Sequence, residues 1–182
     1  EAEKAVPGVT DHREELRQFF QDRLRVMLRD AGYTTLEVDA VLALNPGKLD
    51  ELPKRLAAVR AFMALPEAEA LTAANKRIGN VLKKIEGEVP TVVNEALLAE
   101  DAEKQLFAAI NDVEPKALQH FAAGEYEQML ATLAVLRGPV DSFFDNVMVN
   151  AEDPALRATR QALLKRLYDV MNKVAEIARL AK

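Results

Sequence analysis

Residues 73–85 read AANKRIGNVLKKI. At the roughly 100° per residue of an α-helix, Leu71, Ala74, Ile78, Val81, Leu82 and Ile85 fall on one side. Ala73, Lys76, Arg77, Asn80, Lys83 and Lys84 fall on the opposite side. The stretch is therefore an amphipathic helix with an apolar stripe to bury and a basic face to present. The same helical period runs almost throughout the chain. No segment sustains period-2 alternation, and no Asn-Gly or Asp-Gly hairpin signal occurs.

Outward from this helix, its neighbours can be read from their start and stop signals. Pro66 opens it as an N1 proline, and it is expected to reach about Glu86. Upstream, residues 1–10 read as a loose lead-in to a single domain over residues 11–182. A first helix over about 11–31 starts from Asp11 with Glu14 in capping-box spacing and stops at Gly32. A second opens on Thr34 with Glu37 and ends at Asn45-Pro46-Gly47. A third covers roughly 49–64, with Pro53 tolerated in its first turn. Downstream, GEVPTVV is an extended connector, followed by a long helix over 94–123 that Pro115 could break. Further helices are expected over 124–137, over 138–150 from Gly138-Pro139, and from Asp153-Pro154 to the C-terminus. The fold class is all-α, an array of seven to nine helices with short loops.

Composition agrees and excludes several classes. The 182 residues are 49% hydrophobic and 29% charged, a globular balance with only seven glycines and no tryptophan. No apolar run approaches the ~20 residues of a membrane span, and no signal-peptide core appears near the start. The absence of cysteine excludes disulfides and thiolate zinc sites and fits a reducing compartment. A net charge of −5 argues against indiscriminate nucleic-acid binding. It leaves room for a local basic patch, because nearby charges within a Debye length of ~8–10 Å set the field at a surface.

The basic face of residues 73–85 admits two readings. A solvated face near a helix C-terminus suits cations through the macrodipole. A phosphate- and base-contacting face would use Lys76, Arg77, Lys83 and Lys84 on phosphates and Asn75 and Asn80 on base edges. Small Ala73 and Gly79 would then let a flat partner approach. Arg13 and Arg17, on the exposed side of the first helix, are further RNA-binding candidates.

Other stretches read as structure. In RGPVDSFFDNVMVN (137–150), Val140, Phe143, Phe144, Val147, Met148 and Ala151 follow a helical core spacing. Asp141 and Asp145 lie one turn apart, and Asp141 is expected at the N3 position of its helix, where an acid is stabilised. Arg23 shares the side of Phe19, Phe20, Leu24 and Met27 and calls for an acid such as Asp141 or for an interface. His12 and His120 lack metal-ligand spacing, and no phosphate loop or nucleophile elbow occurs. The residues offer no catalytic constellation, no metal site and no cofactor site.

The order of the blocks FFQDRLRVML, DAVLAL, AANKRIGNVLKK and LRGPVDSFFDNVMV, then AED and a final Leu-rich basic helix, resembles one family. It is similar to the C-terminal region of the beta subunit of bacterial heterotetrameric glycyl-tRNA synthetase, over nearly all of residues 11–180. That region is an all-helical anticodon-binding domain, similar to that of arginyl-tRNA synthetase. The resemblance implies binding of glycine tRNA, a cytoplasmic location, and a tetramer with the alpha subunit and a second beta subunit. It implies that the parent enzyme, a glycine–tRNA ligase, uses ATP and does its adenylate chemistry mainly on the alpha subunit. A rival reading from another class is a helical protein-interaction module for subunit assembly, its basic face meeting an acidic partner.

Overall fold

The computed structural model describes residues 13–181, apart from the side chains of Arg13, Glu14 and Arg17. The lead-in over residues 1–10, the Asp11 cap and His12 lie outside the described residues. Among the described residues there are eight α-helices and no strands. They are α1 (Arg13–Asp30), α2 (Thr35–Leu42), α3 (Leu52–Met63), α4 (Ala68–Leu82), α5 (Asp101–Ala122), α6 (Tyr126–Ala134), α7 (Arg137–Asn146) and α8 (Pro154–Met171). Short 3-10 turns stand at Leu49–Glu51, Glu95–Leu97 and Ile177–Leu180.

The helix ends follow local chemistry. Gly32 takes φ +91°, a backbone that favours glycine. It stops α1 while the Tyr33 N–H donates back to Leu28 O at 3.2 Å. Thr34 and Glu37 form the expected capping box, with Glu37 N–H on Thr34 Oγ1 at 3.2 Å and Thr34 N–H on Glu37 Oε2 at 2.6 Å. Asp153 Oδ1 accepts from the N–H groups of Ala155 and Leu156, at 2.7 and 3.2 Å. Pro115 does not break α5, which runs through it. The missing N–H removes one backbone bond, but Ile110, Val113 and Ala117 stay buried on both sides of it. Pro66 precedes α4 by two residues, and Glu67 is the N-cap.

Three elements end sooner than their apolar period suggests. α4 stops at Leu82, α6 at Ala134 and α7 at Asn146. At the last, the Asn146 side chain donates to Ser142 O at 2.8 Å, and Val147 turns extended. Met148, expected in the core, is consequently 74% exposed, while Val140, Phe143, Val147 and Ala151 are buried as expected.

The core is a continuous apolar cluster around α8, whose Leu163, Leu164, Leu167, Val170 and Met171 are all buried. α8 packs against α4 and α5, α5 against α6 and α7, and α3 against α6. The Ile177–Leu180 turn wedges between α2 and α4. α1 lies outside this group and packs mainly on α2. That placement explains why Arg23 does not meet Asp141. Arg23 stands over Phe19 of its own helix at 5.6 Å, and Asp141 pairs with Arg137 at 3.5 Å. With α7 beginning at Arg137, Asp141 sits one turn past that residue rather than at N3.

Polar side chains fasten the helices at their ends. Buried Arg55 donates to Lys173 O and Val174 O at 2.9 and 3.0 Å, holds Glu51, and lies 4.7 Å over the Tyr126 ring. Glu37 serves its cap and also accepts from Arg60 Nε at 2.9 Å, tying α2 to α3. The Arg60 guanidinium, together with the Thr34 N–H, holds the Glu37 carboxyl below its ordinary pKa even though burial opposes this. A carboxylate lowered on folding stabilises fully above its unfolded value of about 4.3. That contribution is lost as pH falls through the lower folded value. Thermal melts should therefore show Glu37→Gln less stable than wild type at neutral pH, with the gap narrowing as pH falls below the unfolded carboxylate value of about 4.3.

Candidate nucleic-acid interface

The apolar stripe of α4 turns Leu71, Ala74 and Ile78 into the core and leaves Ala73, Lys76, Arg77 and Asn80 exposed. Lys83 caps the helix and donates its N–H to Gly79 O at 3.0 Å, and Lys84 follows with its N–H on Val81 O at 3.1 Å. Both lysines thus stand at the carbonyl end of α4, where a cation is favoured.

Across from this face lie Asn150, in the α7–α8 loop, and Gln161, on α8. Together they enclose an open groove of about 470 Å³ floored by Ala73, Val81 and Ile85. Its polar lining is three cations, Lys76, Arg77 and Lys84, and three carboxamides, Asn80, Asn150 and Gln161. No carboxylate lines it. Elsewhere Arg25, Arg55, Arg60, Lys116, Arg137, Arg160, Lys165, Arg166 and Arg179 each hold an acid. Among the described residues, Lys76, Lys83 and Lys84 hold none. Arg77 is set differently, its guanidinium lying 4.2 Å over the Phe144 ring of α7. That contact fixes the plane of the cation while leaving its donors free at the groove wall.

Two sequence expectations fail here. Asn75 is completely buried and cannot reach a base edge. Its Oδ1 accepts from Asn172 Nδ2 at 3.2 Å, and Asn172 Oδ1 in turn accepts from the Ile177 N–H at 2.8 Å. The signal was present in the sequence, since Leu71, Ala74, Asn75 and Ile78 have the i, i+3, i+4, i+7 spacing of a buried stripe. Gly79 is also buried rather than open to a ligand. A Cβ there would stand 3.3 Å from Tyr168 Cε2, so the flat partner that glycine admits is an internal ring. Burial raises the Tyr168 hydroxyl pKa accordingly. Arg13 and Arg17 belong to α1, and their side chains fall outside the described residues. Asn150 and Gln161 join the groove from 70 and more residues beyond Asn80, with nothing in their own sequence neighbourhoods to mark them.

The far wall of the groove is built on a buried ion pair. Arg160 Nε donates to Glu103 Oε1, with both side chains almost wholly buried. The second Glu103 oxygen accepts from the Ala99 and Glu100 N–H groups, each at 2.8 Å. Arg160 Nη1 donates to Met148 O at 2.7 Å, and Arg157 Nη1 to Ala151 O at 2.9 Å. One carboxylate thereby caps α5, orients α8 and, through Arg160, holds the loop that carries Asn150.

The fold and this recess define an all-helical domain with a cationic, carboxylate-free groove. The DALR anticodon-binding domain family matches residues 71–178, from α4 through the final turn, and the chain belongs to that family. It is 62% identical to the glycine–tRNA ligase beta subunit of Leptothrix cholodnii over 97% of its length, which is 25% of that protein. It is 56% identical to the subunit of that name in Delftia acidovorans, over 95% of the chain and 25% of the relative. With the one from Janthinobacterium it shares 55% identity over 99% of the chain and 26% of the relative. The chain thus spans about a quarter of the length of these relatives.

Removing one member of the buried pair should be severe. Arg160→Met leaves the Glu103 charge buried and unpaired, and is expected to cost ~3–5 kcal/mol of unfolding free energy. Adding Glu103→Gln removes the charge but keeps an oxygen for the Ala99 and Glu100 donors, so the double variant should recover part of the loss. Denaturant titration of both variants checks this; no recovery would place the cost elsewhere than in the stranded charge.

Proposed function

We propose that the chain is the anticodon-binding domain of a glycine–tRNA ligase beta subunit and that the α4–α8 groove seats the anticodon arm of glycine tRNA. The observation that carries this reading is the groove itself: three cations and three carboxamides without a carboxylate, on the part of the chain matched by the family. Lys76, Lys83 and Lys84 hold phosphates, and Arg77, already stacked on Phe144, offers a second flat face to a base or phosphate. Asn80, Asn150 and Gln161 are the base-reading groups. Glycine anticodons end in two cytosines. Cytosine presents an N4 donor beside N3 and O2 acceptors, and a carboxamide offers both complements in one planar group.

On this reading the domain binds and does not itself catalyse. ATP is used by the parent cytoplasmic enzyme, whose adenylate chemistry lies mainly on the alpha subunit, and two beta subunits assemble with two alpha subunits. Among the described residues, no helix is long and apolar enough to cross a membrane.

The test is competition binding with anticodon-loop variants of glycine tRNA. Replacing either cytosine by uracil turns the N4 donor into an acceptor and should cost about 1–3 kcal/mol. Asn80→Ala, Asn150→Ala and Gln161→Ala should blunt that discrimination more than they lower affinity. Lys83→Glu with Lys84→Glu should weaken cytosine and uracil forms alike and flatten the log K against log salt slope by about 0.7–0.9 per lost contact. Equal binding of cytosine and uracil forms by wild type would mean the domain grips tRNA without reading it. An unchanged salt slope in the double lysine variant would remove the groove from the interface.

A further inference from the structure

A second surface is chemically the opposite of the groove. Along α1, Leu16, Phe19, Phe20 and Met27 are each more than half exposed, and Leu49 on the neighbouring turn is 63% exposed. Leu16, Phe20 and Leu24 form one wall of an open apolar recess of about 440 Å³, and Leu42, Pro46 and Leu49 form the other. Gln21 Nε2 donates to Asn45 Oδ1 at 3.2 Å, joining the two walls. A contiguous apolar face of this kind marks a docking surface, because water meets it at a cost that nothing among the described residues offsets.

The family match begins at residue 71 and leaves out α1, α2 and α3. The beta-subunit relatives, in contrast, match over 95–99% of the chain, α1 included. The recess therefore lies outside the stretch shared with anticodon-binding domains at large and inside the one shared with these subunits. About three quarters of each such subunit lies beyond the matched portion. Nine residues line the recess, against the roughly 20–30 a side that free partners engage in a stable complex. A segment of the same polypeptide needs far less area, because its tether supplies an effective concentration in the millimolar range.

We propose that the α1 recess is the seat on which the rest of the beta subunit docks, through an apolar segment of its own polypeptide. This rests on the reading of the chain as part of such a subunit. The occupant is a Leu-, Ile-, Val- or Phe-bearing helix or loop with no charge at its centre, since among the described residues the walls offer only hydrocarbon and the Gln21–Asn45 amide pair. Docking there leaves the cationic groove open, because that groove is built from α4, α8 and the α7–α8 loop.

The chain has no cysteine, so Phe20→Cys gives it a single thiol in the recess. Alkylation of that thiol, followed by mass spectrometry, should run at an exposed rate in the 182-residue chain. In the full-length beta subunit it should run about tenfold slower or more, as for an undocked population of ~10% or less. Val92→Cys, on a loop position that is 79% exposed, should label alike in both. Equal rates at Phe20→Cys in the two proteins, or equal slowing at both positions, would overturn the proposal. So would sedimentation showing the short chain as a dimer with its Phe20→Cys thiol already protected, which would assign the face to a second copy. Neither rate depends on tRNA, so a failure to bind tRNA would strike the function reading and leave this result standing.

Discussion

The Glu103–Arg160 pair is the constraint on which the rest of this domain is arranged. Burying two charges costs several kcal/mol before they meet, and their attraction offsets that only when every remaining lone pair and proton is used. Here they are used. Glu103 closes the N-terminus of α5, and Arg160 reaches the carbonyl of Met148. An apolar pair of the same volume could hold α5 against α8. It could not also stop a helix and pin a loop, and the loop is what faces Asn150 toward α4.

The same division of labour recurs. Apolar stripes decide which helices are neighbours, and polar clamps decide where their ends stand. Arg55 fixes α3 to the end of α8, and Glu37 serves a cap and an ion pair at once. Arg166 joins α8 to α5 through Glu114 and Asn111. An acidic chain can present a cationic groove because so many of its acids are committed to caps and pairs away from α4.

The fold was largely legible because its signals are local. Thr34 with Glu37, Asp153 with Pro154, Gly32 and the stripe of Leu71, Ala74 and Ile78 act within one or two helical turns. What was not legible depends on distant partners. Met148 has core spacing, but α7 ends two residues before it. Asn75 has the spacing of a buried stripe, but the partner that satisfies its amide there, Asn172, lies 97 residues away. Gly79 looks like room for a ligand until Tyr168 fills that room. Four of the six polar groups of the groove, Lys76, Arg77, Asn80 and Lys84, were legible as the polar side of one helix. Asn150 and Gln161 were not, because they reach it through tertiary packing alone.

A net charge of −5 around a carboxylate-free recess has a kinetic meaning as well. Within a Debye length of ~8–10 Å of the rest of its surface, an approaching polyanion meets a net negative body. Only a trajectory that brings its backbone close to α4 first passes from repulsion to attraction. The charge distribution thus acts as an orientation filter on encounter, discarding misaligned collisions early rather than holding them as long-lived non-productive complexes.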